Sequence, residues 1–336
     1  FRRASGRVIE VTEIGLRHPT TAGKRMLPGY ACTVRIDGDV VITGYVDIVE
    51  ISYDDAWHSI SAQGRDAAGD LVDCSVVGAS EWRDLALDKL VEAIARPFGI
   101  PVKAETDIGA PFAIFRTEEG ETAWSAIERA CRMRAVLCIS DGAGGVLLTR
   151  AGGAGKMAGR LESGARGCIL AATGRYTDAD RHSAYILKAQ NRGTPTGSEP
   201  EQAAHVLTEV ADTGVRRYRP LVILAEDIAD RARLDQRARW EESIRRGKAR
   251  EISVTVPGWR DEAGRIWTPN ALVQIKCEWL RVDAELLITQ VRMVQAEQRG
   301  TITELTLADQ STFDVSPEGG ASDARTAGTG SPVPRP

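Results

Sequence analysis

No stretch of this chain supplies the roughly 18 consecutive apolar residues of a membrane-spanning helix. Phe1-Arg2-Arg3 is not followed by the apolar segment of a secretory signal. A surplus of positive charge is also missing. With 43 Lys and Arg against 47 Asp and Glu, the formal net charge is −4. That balance argues against a dedicated or sequence-specific nucleic-acid binder, because a basic excess is the usual footprint of phosphate recognition. Clustered metal ligands are lacking too. Cys32, Cys74, Cys131, Cys138, Cys168 and Cys277 form no C-x-x-C pair, and His18, His58, His182 and His205 form no H-x-x-x-H. Zinc needs ligands gathered on short knuckles, so no metal site is expected. The cysteines sit mostly in apolar or strand-like surroundings, which predicts buried or half-buried free thiols and a reducing compartment.

Catalytic motifs start and then break off. Gly155-Lys156 could suggest a phosphate loop, but Arg150 occupies the first glycine position and Met157 replaces the hydroxyl residue that binds magnesium. Gly78-Ala79-Ser80 begins a nucleophile elbow, yet Trp82 stands where a second glycine must allow close approach. Asp178, Asp180, His182 and Ser183 form a polar cluster without an identifiable oxyanion donor, and ordinary loop polarity accounts for them. The carboxylate pairs Asp54-Asp55 and Glu118-Glu119 flank turns or helix starts, where negative charge is favoured. No catalytic, cofactor-binding or metal-ligating residue is therefore assigned, and no cofactor is expected.

What the chain does contain is core-forming sequence. Its 336 residues, 43% of them hydrophobic, exceed one ordinary core and predict two or three domains. Residues 30–63 read as antiparallel strands: 30–36, the turn Asp37-Gly38-Asp39, then 40–46 and onward to 53, with a further strand at 57–63. Asp-Gly between β-rich runs is a strong hairpin signal. Glu81 to Ile94 has Leu87, Leu90, Val91 and Ile94 at helical spacing, so a helix opening near Trp82 is predicted, with Ser80 as N-cap and Pro97 and Gly99 as its stop. A second helix, 122–133, leads into strands 135–140 and 146–149 around a Gly-rich turn. Residues 151–159, AGGAGKMAG, read as a mobile connector. Beyond it, 185–189, 221–224, 252–256, 271–276, 285–294 and 301–307 read as strands, the last four as a meander able to close a barrel, with a loop at 191–201 and a highly charged helix at 226–246. That helix could offer a basic face to nucleic acid or a partner. Interleaved Glu226, Asp227, Asp230, Asp235, Glu241 and Glu242 favour a solvated helix with i,i+4 pairs. From about Val315 the tail has almost no large apolar residues and reads as disordered.

The segment Gly64-Arg65-Asp66-Ala67-Ala68-Gly69-Asp70-Leu71-Val72-Asp73-Cys74-Ser75-Val76, read as a strand turning a Gly-Arg-Asp corner and re-forming at 71–75, resembles the first barrel of the phage Mu-type baseplate hub proteins, the gpP-like family. Further resemblances follow in order. Glu121 to Ala130, with the hairpin ending Leu147 to Arg150, is similar to the family's middle domain. Arg217 to Glu226 is similar to its strand leading into a long charged helix, and Gly258-Trp259-Arg260 with Ile266 to Val273 is similar to its final barrel. The family's opening strands are not recognisable in residues 1–28, which begin without Met, so the start is read as trimmed or diverged.

The resemblance implies an α+β, mainly β chain with two tail-tube-like antiparallel β-barrels separated by a small α+β domain. The expected division is 1–78 first barrel, 79–150 small domain, 151–164 connector, 165–312 second barrel and 313–336 tail. It also implies a non-enzymatic homotrimer in the baseplate of a contractile tail, in a phage or a bacteriocin-like device. Such a hub adapts the sixfold tail tube to the threefold central spike, contacts tube or distal tube proteins and other baseplate proteins, and leaves a channel for the genome. It is assembled in the bacterial host cytoplasm. Two alternatives stay open: a cell-wall-associated module or hydrolase, and a glycan binder stacking sugars on Trp57, Trp82, Trp259, Trp267 or Trp279, for which core packing is the simpler reading.

Overall fold

The structure, a computed structural model, describes residues 9–14, 27–56, 58–165, 167–190, 205–225, 231–296 and 299–313. They fall into two compact units that divide between Arg150 and Ala151.

The first unit opens with a four-stranded antiparallel sheet in the order β1 (Ile9–Ile14), β2 (Ala31–Ile36), β3 (Asp39–Tyr53), β4 (His58–Asp66). The Asp-Gly hairpin forms where the sequence places it: Ile36 pairs with Asp39, and Asp37 and Gly38 have φ of 50° and 94°. Positive φ at both central residues gives the turn whose twist matches that of its strands. An opening strand does exist within residues 1–28. β1 pairs with β2 from Ile9↔Ile36 to Ile14↔Ala31, and its glutamates, Glu10 and Glu13, interrupt the apolar run that would have made it legible.

Two local expectations do not hold. Residues 71–75 do not re-form a strand; Gly69–Asp73 is a short helix, α1, and Leu71 on it is fully buried. No helix opens at Trp82 and Ser80 is no N-cap. Glu81–Leu85 is strand β5, hydrogen-bonded to strand β7 (Phe112–Arg116) with Trp82 opposite Phe115. Asp84 has a φ of 51°, which a right-handed helix cannot contain, and helix α2 starts only at Leu87–Ala95. From there Leu87, Leu90, Val91 and Ile94 face inward as their spacing predicts. Helix α3 (Ala123–Met133) begins at Thr122, whose hydroxyl accepts from the Ser125 N–H at 3.2 Å. Strands β6 (Val102–Ala104), β9 (Val146–Thr149) and β8 (Leu137–Ser140) complete this layer. Its core unites Leu71, Leu87, Leu90, Phe112, Phe115, Ile127 and Leu148, each such side chain contributing about 1.5–3 kcal/mol on burial. Ala68 and Leu71, which the sequence reading placed in the first barrel, belong to this core.

In the second unit the expected connector is largely structured. Lys156–Glu162 is strand β10 and runs parallel to β16 (Leu272–Cys277). The full order is β10, β16, β17 (Val282–Ala296), β18 (Gly300–Ala308), β15 (Arg250–Pro257), β11 (Ala171–Tyr176). A sequential meander is thereby corrected, because β15 skips its neighbour in sequence and pairs with β18. Alternate residues of these strands, among them Ile252, Val254, Ile275, Leu286 and Leu307, build a second core with Met157 and Leu161. A separate layer places β12 (Ala184–Gln190) between β13 (His205–Ala211) and β14 (Pro220–Ala225), with helix α4 (Arg231–Lys248) against one face through Leu234 and Ala238. The chain is mainly β and α+β. Among the described residues neither large sheet closes on itself: β1 and β4 are the outer strands of one, β10 and β11 of the other. The expected loop at 191–201, the start of the charged helix at 226–230 and the tail from 314 lie outside the described residues.

Candidate interaction surfaces

The Gly-Arg-Asp corner is a device for leaving a sheet. At Gly64 a side-chain carbon would lie 2.3 Å from the Tyr45 carbonyl oxygen, and at Gly44 one would lie 1.9 Å from that of Arg65. The two strands thus touch backbone to backbone beside the bulge between Val46 and Ile48. Arg65 Nε donates to Asp47 Oδ2 at 2.7 Å and its Nη2 to Asp73 Oδ2 at 2.6 Å, tying the strand to α1. Those bonds hold the Asp73 carboxyl below its ordinary range and push the Arg65 guanidinium up. Asp66 Oδ1 accepts from the Ala68 N–H at 2.8 Å and so fixes the turn that precedes α1. The bonds of Arg65 and of Asp66 Oδ1 serve the turn, while Asp66 Oδ2 is buried without a hydrogen-bond partner, and the motif builds architecture.

Beyond the bulge, β3 and β4 form an arm with one apolar side. Val49 pairs with Ala62 and Ile51 with Ile60, while Glu50 pairs with Ser61 and Ser52 with Ser59 on the other side. Paired residues share a face. Ile51 is 67% and Ile60 71% exposed, and none of the three cores includes a residue of β3 or β4.

One face of the six-stranded sheet carries a groove of about 330 Å³ with a mixed lining, in which Thr173, Ser253, Thr255 and Thr306 alternate with Ala172, Val254 and Leu305 and the Arg292–Glu304 pair at 2.9 Å stands at the edge. Beside the edge strand β10, Asp261 accepts from the N–H groups of Ala158, Ala263 and Arg265 and from the Arg265 guanidinium, at 2.8 to 3.0 Å. Burial alone would push this carboxyl up, but the bonds from Ala158 and Arg265 outweigh it and hold it low. Asp261 thereby pins β10 to the sheet.

Helix α4 carries the expected i,i+4 pairs. Arg237 and Arg245 reach Glu241 at 2.9 and 3.2 Å, and Arg246 reaches Glu242 at 2.8 Å. The helix is nevertheless not solvated all round, since Leu234, Ala238 and Glu241 are buried against the β12–β14 layer and its surroundings. The opposite side of that layer is exposed and largely apolar. Lys188 lies between Leu207 and Leu224, and Ile186 between Glu209 and Val222, with Leu224 75% exposed.

The polar cluster around His182 does not converge on a common point. Asp178 pairs with Arg181, the Ser183 hydroxyl accepts from the Arg219 N–H at 2.8 Å, and the His182 ring stands edge-on to Tyr185 at 5.8 Å. Burial pushes the His182 imidazole down, assisted by Arg245 and Arg219. Met157, the position that broke the phosphate-loop pattern, is a core residue, and Ser80 contributes its carbonyl to the Thr117 N–H at 3.0 Å. Trp259 and Trp267 are buried and Trp82 packs on the first core beside Phe115, but Trp279 is 92% exposed, against the core expectation. Trp57 lies outside the described residues. Five cysteines are buried or half-buried and Cys74 is exposed, which corrects the expectation for that thiol. Among the described residues no group of three or more His, Cys, Asp or Glu is placed to hold a metal ion, and no helix is long and apolar enough to cross a membrane. Sequence reasoning missed both exposed apolar faces; their alternating patterns were visible, but not which side a core would cover.

Two units, each built largely on β-sheet, make the fold of a phage tail protein, as the comparisons with solved structures show. A tail protein from Neisseria meningitidis MC58 shares the fold, with a TM-score of 0.69 at 22% identity over 85% of this chain and 86% of that one. The 43 kDa tail protein of prophage MuSo2 from Shewanella oneidensis superposes with a TM-score of 0.76 at 31% identity, covering 92% of this chain and 90% of that one. Baseplate hub protein gp44 of Escherichia phage Mu is 29% identical over 312 residues, 90% of this chain and 81% of its own length. Three domain families match in chain order. They are the Mu phage baseplate assembly protein GpP-like N-terminal domain at residues 10–66, the second domain of baseplate hub protein gp44-like at 68–150, and the fourth domain of Mu phage baseplate assembly protein GpP at 230–316. The chain belongs to the Mu-type baseplate hub family, GpP/gp44-like.

Proposed function

We propose that this baseplate hub protein acts as a homotrimer at the centre of a contractile tail, joining the sixfold tube to the threefold spike and leaving a channel for the genome. The observation that carries the reading is the presence of two separate sheet domains, one per unit, in a chain of this family. Three copies then present six sheets in a ring, which matches both symmetries at once. Within the chain, the first tube-like domain ends near residue 66, the small α+β domain occupies 67–150, and the second tube-like domain follows from 151. In this reading the sheets complete their barrels in the assembled ring. Tube or distal tube proteins, the spike and other baseplate proteins are the partners, and assembly takes place in the host cytoplasm before incorporation into the virion tail. The role needs load-bearing contacts and no turnover.

Native mass spectrometry of the purified chain tests this. A mass three times the 36.3 kDa of one chain is expected, and a monomer persisting at micromolar concentration would overturn the trimer.

A further inference from the structure

Each unit exposes one apolar sheet face, and the two differ in charge at their margins. The β3–β4 arm offers Ile51 and Ile60, both more than two-thirds exposed, and ends in the acidic tip Asp54-Asp55. The outer face of the β12–β14 layer offers Leu207, Val222 and Leu224, all about half exposed or more. Its charges are mainly basic: Lys188 is exposed in the row between Leu207 and Leu224, and Arg216 and Arg217 are exposed in the connection from β13 to β14. Glu209 is the acidic residue within the strands of that face. Contiguous apolar surface of this kind on a soluble chain marks a contact with another surface, and opposite charges at the rim guide which surface it meets.

We propose that the β3–β4 arm of one copy docks on the outer face of the β12–β14 layer of the next copy, so that three identical head-to-tail contacts close the ring. This rests on the trimeric reading above and adds where the copies meet. The arm's apolar side lies on Leu207, Val222 and Leu224 of the neighbour, its acidic tip faces the basic margin, and its polar side, with Glu50, Ser52 and Ser61, stays in water. Two different patches make the contact heterologous, and a heterologous contact repeated by a closing rotation gives a ring and not an isologous dimer.

A mixing experiment separates this arrangement from others. Full-length Ile60→Asp disables the arm and leaves the receiving face intact; full-length Leu224→Asp does the reverse. Both side chains are exposed, so circular dichroism like that of the wild type is expected, and Ile51→Asp and Val222→Asp serve as second variants on the same faces. By native mass spectrometry each variant alone falls to one-third of the wild-type mass. Mixed in equal amounts, they give a one-to-one dimer and nothing larger, because a single working arm and a single working face remain. A folded variant that stays trimeric by itself overturns the contact while the trimer stands. Two monomeric variants that fail to associate on mixing show that these faces are not each other's partners; an isologous contact or coverage by another segment of the same chain then takes its place. A monomeric wild-type protein overturns the trimer and this contact together.

Discussion

Arg181 grips Asp212 with two hydrogen bonds, Nε to Oδ2 at 3.0 Å and Nη2 to Oδ1 at 2.9 Å, and the carboxylate is almost wholly buried. Asp212 also accepts from the Gly214 N–H at 2.9 Å, so one side chain organises the connection from β13 to β14. Removing it leaves a largely buried guanidinium with only the longer contact to Asp178, at 3.4 Å. Breaking a buried pair costs about 3–5 kcal/mol, and Asp212→Ala is expected to lower stability by about 3 kcal/mol in urea unfolding. A loss under about 1 kcal/mol would mean that water replaces the carboxylate without penalty.

The approach of Gly44 to Arg65 and of Gly64 to Tyr45 leaves no room for a side chain, since the opposing atoms are backbone. Gly64→Ala is expected to cost about 3 kcal/mol, at the upper end for overpacking. Thermal unfolding followed by circular dichroism measures it. An unchanged midpoint would show that the bulge relaxes freely.

Asp261 makes the second unit acid-sensitive. Its carboxyl is held below the ordinary value of about 3.9 in the fold, so the unfolded chain binds its proton first. The stabilisation is complete above about pH 4 and disappears as pH falls through the lower folded value. Asp261→Asn is expected to lose about 2 kcal/mol at pH 7, the scale of hydrogen bonds to a charged group, and the difference from wild type shrinks toward pH 3. Urea titrations at a series of pH values decide the matter, and a constant difference would contradict it.

Thiol chemistry separates the cysteines. The Cys138 thiol is pushed far up by its hydrogen bond with Cys131 and by burial, which suppresses the reactive thiolate, whereas Cys74 is exposed. A brief maleimide treatment at neutral pH is expected to label Cys74 first, read by peptide mass spectrometry. Early labelling of Cys138 would be inconsistent with the packing of α3 on β8.

Local chemistry was legible in the sequence wherever one or two residues decide the geometry. Asp37-Gly38 announces its turn because few residues accept positive φ, whereas a hydroxyl alone misleads: Ser80 reads as a cap and is none, and Thr122, which does cap α3, does not read as one. The strand at Glu81–Leu85 was not legible. Its residues run without a break into the helical spacing of Leu87, Leu90, Val91 and Ile94, and only pairing with Phe112–Arg116, brought in from further along the chain, sets it apart. The segment from Gly64 to Val76 pointed to the right family although its second half is helical, since the resemblance lies in the residues that make the corner. Which side of the β3–β4 arm lacks cover could not be read, because alternation reveals two faces without saying what lies against either.

Strand β10 begins the second unit, yet its partner β16 is made much later: Lys156 is matched with Leu272. As the chain leaves the ribosome, that early strand and β11 have no permanent neighbours until β15 and β16 emerge. Non-local pairing of this sort slows folding and leaves strand edges open to other chains. The first unit, whose pairings are local, can finish while the second is still being synthesised, so a crowded or hurried synthesis would harm the second half of this protein first.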